Sequence, residues 1–300
     1  MHACVDLVNE GAMTIVLTLL VRDEIDIISE NLKYHLAEGV DHIIVTDNGS
    51  QDGTKEILDG YQASGQITLF HEPPADFSQH RWVTRMARYA YDRFQADWVI
   101  NADADEFFVW RQGSLRQALE RIPAKVHRLR ALRTDFVPFT RPERQSPVIE
   151  MIYRKTKSLG RLGRELTPKI VHRGAPDVII SQGNHRANSG QFRGRPQVAD
   201  IAVYHYPVRN YAQFESKVRN GGSGYAQNLE LPAGTGGHKR RWYDLLLRHE
   251  LEHEYYGEMF FDENRLTSAL ARGELTVDKT VAERLEQGTP LNASAAATGQ

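Results

Sequence analysis

Two aspartates set two positions apart, Asp103 and Asp105 in the segment WVINADADEF, are the residues of this chain best suited to hold a cation. Side chains two apart in an extended stretch point the same way. Hard oxygens are what Mg²⁺ and Mn²⁺ prefer, and such ions keep positions open for substrate phosphates. An ion held there neutralises the charge that builds on a departing diphosphate. Glu106 follows directly, as a supporting group or as one facing a second substrate. A solvated turn can show the same Asp-x-Asp. This one follows an apolar stretch and runs into Phe107-Phe108-Val109-Trp110, where acids need a partner or an ion.

A second pattern, His249-Glu250-Leu251-Glu252-His253, fits the H-E-x-x-H of zinc proteases. On a helix its histidines would share a face. Glu252 and Glu254 crowd it with charge, no third ligand follows at the required spacing, and Gly257 is out of register. It reads as a charged surface helix. The glycine-rich stretches 221–224 and 234–237 lack the Lys-Ser/Thr ending of a phosphate loop and read as flexible loops, one of which could close over a ligand.

The acids need a frame. Apolar runs at 13–21, 41–46, 67–70 and 98–102 predict buried strands. Between them, Ile25, Ile28, Leu32 and Leu36, then Ile57, Leu58 and Tyr61, then Trp82, Met86, Ala90 and Phe94 recur at helical spacing. The alternation implies a parallel sheet covered by helices, with ligands at the carboxyl ends of its strands. The polar clusters 22–24, 47–50 and 101–106 fall at those ends. Beyond about residue 125 the pattern changes: 126–136, 148–154, 168–172, 177–181 and 200–206 read as strands, and helices follow from Asn210. We therefore divide the chain into a ligand-binding half at 13–125, a mixed half with C-terminal helices at 126–287, and a disordered tail at 288–300.

Composition removes other classes. The 300 residues are 41% hydrophobic and 25% charged with a formal net charge of −2, which suits one or two globular domains and supplies no basic block for nucleic acid. Cys4 is the single cysteine, so no intrachain disulfide forms. No apolar run is long enough to span a bilayer, and the expected setting is cytoplasmic, with peripheral membrane contact left open.

The stretch VRDEIDIISENLKYHLAEGVDHIIVTDNGSQDGT, followed by INADADEFF, resembles the nucleotide-binding half of family-2-type glycosyltransferases with the GT-A fold. The likeness is to the bacterial branch with an Asn-or-Asp-Glu after the first strand and His-x-x-x-Gly-Val, here His35-Leu36-Ala37-Glu38-Gly39-Val40. It covers about 13–110 and extends more loosely to about 220.

The resemblance implies an α/β, Rossmann-like, mostly parallel sheet flanked by helices, with a mixed acceptor-side half. It implies a hexosyltransferase-like enzyme moving a sugar from a nucleotide diphosphate donor, usually UDP-linked, to a glycan, lipid-linked or small-molecule acceptor with Mn²⁺ or Mg²⁺. Carried over by residue, Arg22 and Glu24 lie beside the nucleoside, and Asp47 and Asn48 meet the base or ribose. Arg81 and Arg85, one helical turn apart, pair with the diphosphate. Asp103 touches the ribose or the metal, Asp105 binds the metal, and His205 in AVYHYPV completes the metal site. The acidic Glu-Asp motif usual for the base of inverting members is missing between 107 and His205. His185 in Gly183-Asn184-His185 falls at that place and is the candidate base. Asp135 and Glu215 are weaker alternatives. Two further readings stand: a nucleotidyltransferase that makes the sugar nucleotide, and a domain that binds sugar or nucleotide without turnover.

Overall fold

The computed structural model describes residues 13–73, 79–141, 144–160, 163–227 and 237–288. The first half runs β1 (Ile15–Val21), α1 (Ile28–Ala37), β2 (His42–Asp47), α2 (Thr54–Ala63), β3 (Ile67–His71), α3 (Gln79–Phe94), β4 (Trp98–Asp103), β5 (Glu106–Val109) and α4 (Leu115–Glu120). The second runs β6 (Arg128–Asp135), α5 (Pro147–Glu150), β7 (Tyr153–Lys155), β8 (Lys169–Arg173), β9 (Ile179–Ile180), β10 (Ala187–Asn188) and β11 (Gln197–His205). It closes with α6 (Tyr211–Gln227), α7 (Gly237–Leu247), α8 (Leu251–Glu254), α9 (Glu263–Ala271), β12 (Leu275–Val277) and α10 (Thr280–Gln287).

Among the described residues, eight strands form one sheet in the order β3-β2-β1-β4-β8-β6-β11-β5. The β3-β2-β1-β4 part is parallel throughout, and β8 joins it antiparallel to the β6–β11 parallel pair. This is the α/β architecture expected, parallel in the first half of the chain and mixed beyond it.

The apolar runs are continuous because both sheet faces are covered. Ile15, Leu17 and Leu19 alternate onto one face with Ile43, Val45 and Ile100, against Leu32 of α1, Leu58 of α2 and Leu119 of α4. Val16, Ile44 and Val99 face the other way, onto Val83, Met86 and Ala90 of α3. Each such side chain contributes about 1.5–3 kcal/mol by leaving water, and truncating Leu17 to Ala would cost about 2–5 kcal/mol.

The path of the acidic segment depends on β5. This strand begins three residues after β4 ends yet pairs antiparallel with β11 at the far edge, with His205 opposite Glu106. Helix α1 holds it there. Asn31 Nδ2 donates to the carbonyls of Ala104 (2.8 Å) and Glu106 (2.9 Å), and the Tyr34 hydroxyl donates to that of Phe108 (3.2 Å). The Phe108 amide in turn donates to His35 Nε2 at 3.2 Å.

Three local expectations change. The stretch 148–154 was expected as one strand; instead Pro147 opens the short helix α5, where its missing N–H costs nothing, and only β7 is extended. The glycines of 221–224 lie inside α6 rather than in a loop, carried by a helix whose Phe214 and Val218 are buried. The H-E-x-x-H residues do not share a helix: His249 turns the chain at φ +60° and α8 starts at Leu251. The expected loop at 234–236 and tail at 289–300 lie outside the described residues. Among the described residues no helix is long and apolar enough to cross a membrane.

Candidate active site

His205 ends β11 and sits in register between Asp135, the last residue of β6, and Glu106, the first of β5. Its Nδ1 meets Asp135 Oδ1 at 2.8 Å, which turns Nε2 toward Asp105 Oδ2 at 3.6 Å. Asp105 is buried, its carbonyl accepts the Tyr206 amide (2.9 Å), and its carboxylate also takes the ammonium of Lys217 from α6. Burial alone would lower the His205 pKa, but Asp105 and Asp135 push it up to about 9. Burial would raise Asp105, yet Lys217 and His205 hold it well below the usual carboxylate range.

Asp103 has a different set of partners. Its carboxylate receives Lys169 Nζ (2.6 Å), Gln79 Nε2 (3.3 Å) and Asn184 Nδ2 (3.3 Å). Lys169, buried at the start of β8, also reaches Glu106 Oε2 at 3.0 Å. That oxygen accepts the Asp103 amide at 3.2 Å. Burial raises Glu106 and outweighs Lys169; burial would lower Lys169, but Asp103 and Glu106 raise it. Asp103 itself is lowered, because Lys169 overcomes the effect of burial.

A divalent ion can be tested against these donors. Among the described residues no group of three or more acidic, His or Cys side chains converges as a metal cage. Asp105 and His205 do converge, and a carboxylate holding the far nitrogen of an imidazole is the usual support of a metal-binding histidine. The pair suits an oxygen- and nitrogen-binding ion that completes its shell with phosphate oxygens and water. Glu106 Oε1 and Asn184 Oδ1 are buried beside this corner without a hydrogen-bond partner.

The nucleoside candidates lie at the ends of β1 and β2, whose loops are tied together. Asp23 and Glu24 donate their amides to Ser50 Oγ (3.0 Å) and Thr54 Oγ1 (2.9 Å). Gly53 at φ +103° makes the crossing feasible, since a Cβ there would lie 2.6 Å from Ile25 Cδ1. Asp47 is buried, accepts the Ser50 amide at 3.1 Å and lies 3.6 Å from His71 Nδ1. Buried Asn48 keeps Oδ1 without a partner. Arg22 lies 3.8 Å from Asp23, and Glu24 is paired with the fully buried Arg209.

Arg81 and Arg85 are exposed on α3, and neither is among the partners of Asp103 or Asp105. Arg85 is engaged by Glu72 (2.6 Å) and the Phe70 ring (4.8 Å).

His185 follows the tight turn Gln182–Asn184, whose last residue binds Asp103. Its Nδ1 donates to the Pro168 carbonyl (3.0 Å), leaving Nε2 as an acceptor. Burial first, then Lys169 and Arg133, lowers its pKa, so the ring is neutral at pH 7. Gly183, at φ +74°, is required here: a Cβ would come within 2.7 Å of Nε2.

Lys169, Lys217, Arg209 and Asn184 escaped the sequence reading. The signal for two of them was present. Lys169 opens a predicted apolar strand, and Lys217 lies among Phe214 and Val218 on a helix face read as apolar.

The model of the family described as Glycosyltransferase family 92 matches residues 17–220. No curated protein matches the chain. Among solved structures, S. aureus TarS 1–349 in complex with UDP is similar at 15% identity and a TM-score of 0.41, over 93% of this chain and 81% of that one. Glucosyl-3-phosphoglycerate synthase from Mycobacterium tuberculosis, solved with Mn²⁺, UDP and glucosyl-3-phosphoglycerate, is similar at 18% identity and a TM-score of 0.27, over 41% and 44%.

Proposed function

Because the chain belongs to glycosyltransferase family 92, we propose that it moves a sugar from a UDP-linked donor to an acceptor hydroxyl in the cytoplasm, with the diphosphate at the Asp103–Asp105–His205 corner. The supporting observation is the pairing of Asp105 with His205 at 3.6 Å, flanked by Lys217 and Lys169 at the carboxyl ends of the strands. In this reading Asp47 and Asn48 meet the base, and the unpartnered Asn48 Oδ1 is an acceptor that a uracil N–H would satisfy. Arg22 and Glu24 border the nucleoside from the β1 loop.

Asp105 and His205 would hold Mn²⁺ or Mg²⁺, with Asp103 on the ribose side; an ion bound there adds positive charge beside the leaving diphosphate. Lys217 and Lys169 supply fixed positive charge from the protein itself, worth more here than in water because Lys169, Asp105 and Glu106 are buried. His185, neutral with Nε2 as acceptor, takes the proton from the attacking hydroxyl. From α3, Arg85 would reach the donor only by leaving Glu72 and the Phe70 ring.

Calorimetric titration of UDP and GDP, with and without Mn²⁺, tests this in the wild type and in Asp103→Ala/Asp105→Ala. UDP binding strengthened by Mn²⁺ and lost in the variant is expected. Equal binding by a folded variant would remove the acids from the site. His185→Ala should lower kcat by about 10²–10⁴ while leaving UDP affinity unchanged.

A further inference from the structure

Behind His185 lies a cavity of about 500 Å³, lined by Arg128, Arg130, Arg186, Arg195, Pro168 and His185 among others, with no carboxylate in its wall among the described residues. Two of its lining residues, Pro168 and His185, are chain neighbours of groups that bind Asp103. Pro168 carries the carbonyl that orients His185, and the next residue, Lys169, binds Asp103.

The four arginines differ in how they are held. Arg128 and Arg130 are two apart on β6 and so face the same way. Arg128 is fixed: its guanidinium donates to the carbonyls of Ala187 (3.3 Å) and Gly194 and lies over the Phe192 ring at 5.7 Å. Arg130, Arg186 and Arg195 are exposed, and none makes an ion pair among the described residues. By contrast, Arg85 is paired to Glu72 and Arg116 to Asp41. Three guanidinium groups without a carboxylate, around one concavity, concentrate anions, and their planar forks match the oxygens of phosphate or carboxylate. The volume suits a small molecule or the end of a larger one.

We propose that this cavity is the acceptor subsite and that the acceptor carries an anionic group, a phosphate or a carboxylate, seated on Arg128, Arg130, Arg186 and Arg195 with a hydroxyl at His185 Nε2. This rests on the glycosyltransferase reading and on His185 as the base. The transfer balances in the usual way: the acceptor oxygen forms the new bond to the sugar, the bond from sugar to diphosphate breaks, and the hydroxyl proton goes to His185.

The test is calorimetric titration of the full chain, with and without UDP and Mn²⁺, using glycerol phosphate, glucuronate and uncharged glycerol as probes. Wild type and Arg130→Ala/Arg186→Ala/Arg195→Ala are compared, their folding checked by thermal melting. These three side chains are exposed and unpaired, so the variant should fold. Binding of at least one anionic probe but not glycerol, weakened at least tenfold in the variant with UDP affinity unchanged, is the expected result. The two anionic probes separate phosphate from carboxylate. Equal anion binding by the variant, or a chain that binds UDP but neither anion, overturns the proposal. A chain that binds anions through these arginines but not UDP overturns the donor-site reading instead.

Discussion

Asp135 holds Nδ1 of His205 at 2.8 Å, and the two are register partners at the ends of neighbouring parallel strands. The ring is therefore set by sheet geometry rather than by a loop, and Nε2 has one direction open, toward Asp105. Asp135, weighed from sequence as an alternative base, has a positioning role in this arrangement. Replacing it by Asn should weaken Mn²⁺-dependent UDP binding by about 10–100-fold, as loss of such a supporting carboxylate does. Calorimetry with and without Mn²⁺ reads this directly. Unchanged Mn²⁺ dependence would remove His205 from the ion's shell.

Lys217 places an ammonium on the same Asp105 oxygen that faces His205. In the proposed reading it competes with a divalent ion there and supplies charge to the donor's diphosphate. Lys217→Met should tighten Mn²⁺ binding to the nucleotide-free protein and weaken metal-free UDP binding, each by about tenfold, the size of one charge-assisted hydrogen bond. Electron paramagnetic resonance titration of Mn²⁺ measures the first effect and calorimetry the second. No change in either would place Lys217 outside the donor site.

Arg209 is fully buried and joins the β1 loop to the chain after β11 through Glu24, Asp26 (2.7 and 2.8 Å) and the Tyr206 carbonyl (3.2 Å). Arg209→Ala leaves two carboxylates facing a cavity. A loss of about 3–5 kcal/mol in urea unfolding is expected, since one partner of a buried pair is removed. A loss below about 1 kcal/mol would mean that solvent already reaches the pair.

His35 and His172 are both fully buried, and burial lowers each to about 4, against the opposing pull of their backbone hydrogen bonds. For His35 the reason is visible: Nε2 must accept the Phe108 amide, so a proton there would set donor against donor. The unfolded chain, near the ordinary 6.5, binds these protons first. Stability is therefore full above about pH 6.5 and falls toward pH 4, by on the order of 3 kcal/mol for each histidine. Urea unfolding at pH 7, 6, 5 and 4 should show this decline, and His35→Gln should flatten part of it. A flat wild-type profile would refute the buried, neutral assignment.

The strands β1 to β4 and helices α1 to α3 were legible because local patterns specify them: continuous apolar runs buried on both faces, and helical periodicity between. Motifs within 13–110 pointed to a family-2-type GT-A glycosyltransferase; the match over 17–220 supports a glycosyltransferase, but of family 92. The stretch at 148–154 was misread because β-branched residues there suit a strand while Pro147 starts a helix. The glycines of α6 misled in the same way, their low propensity overridden by packing upstream.

Sequence by itself determined the acids at the end of β4 and the sheet that presents them, because both are written within a few residues of each other. Only the tertiary structure decided which cation each acid meets. Lys169 reaches Asp103 across 66 positions, Lys217 reaches Asp105 across 112, and Arg209 reaches Glu24 across 185. Charge pairing falls off with distance in space and is indifferent to distance along the chain. Once β5 crosses to β11 and α6 folds back over the strand ends, those cations become the nearest ones.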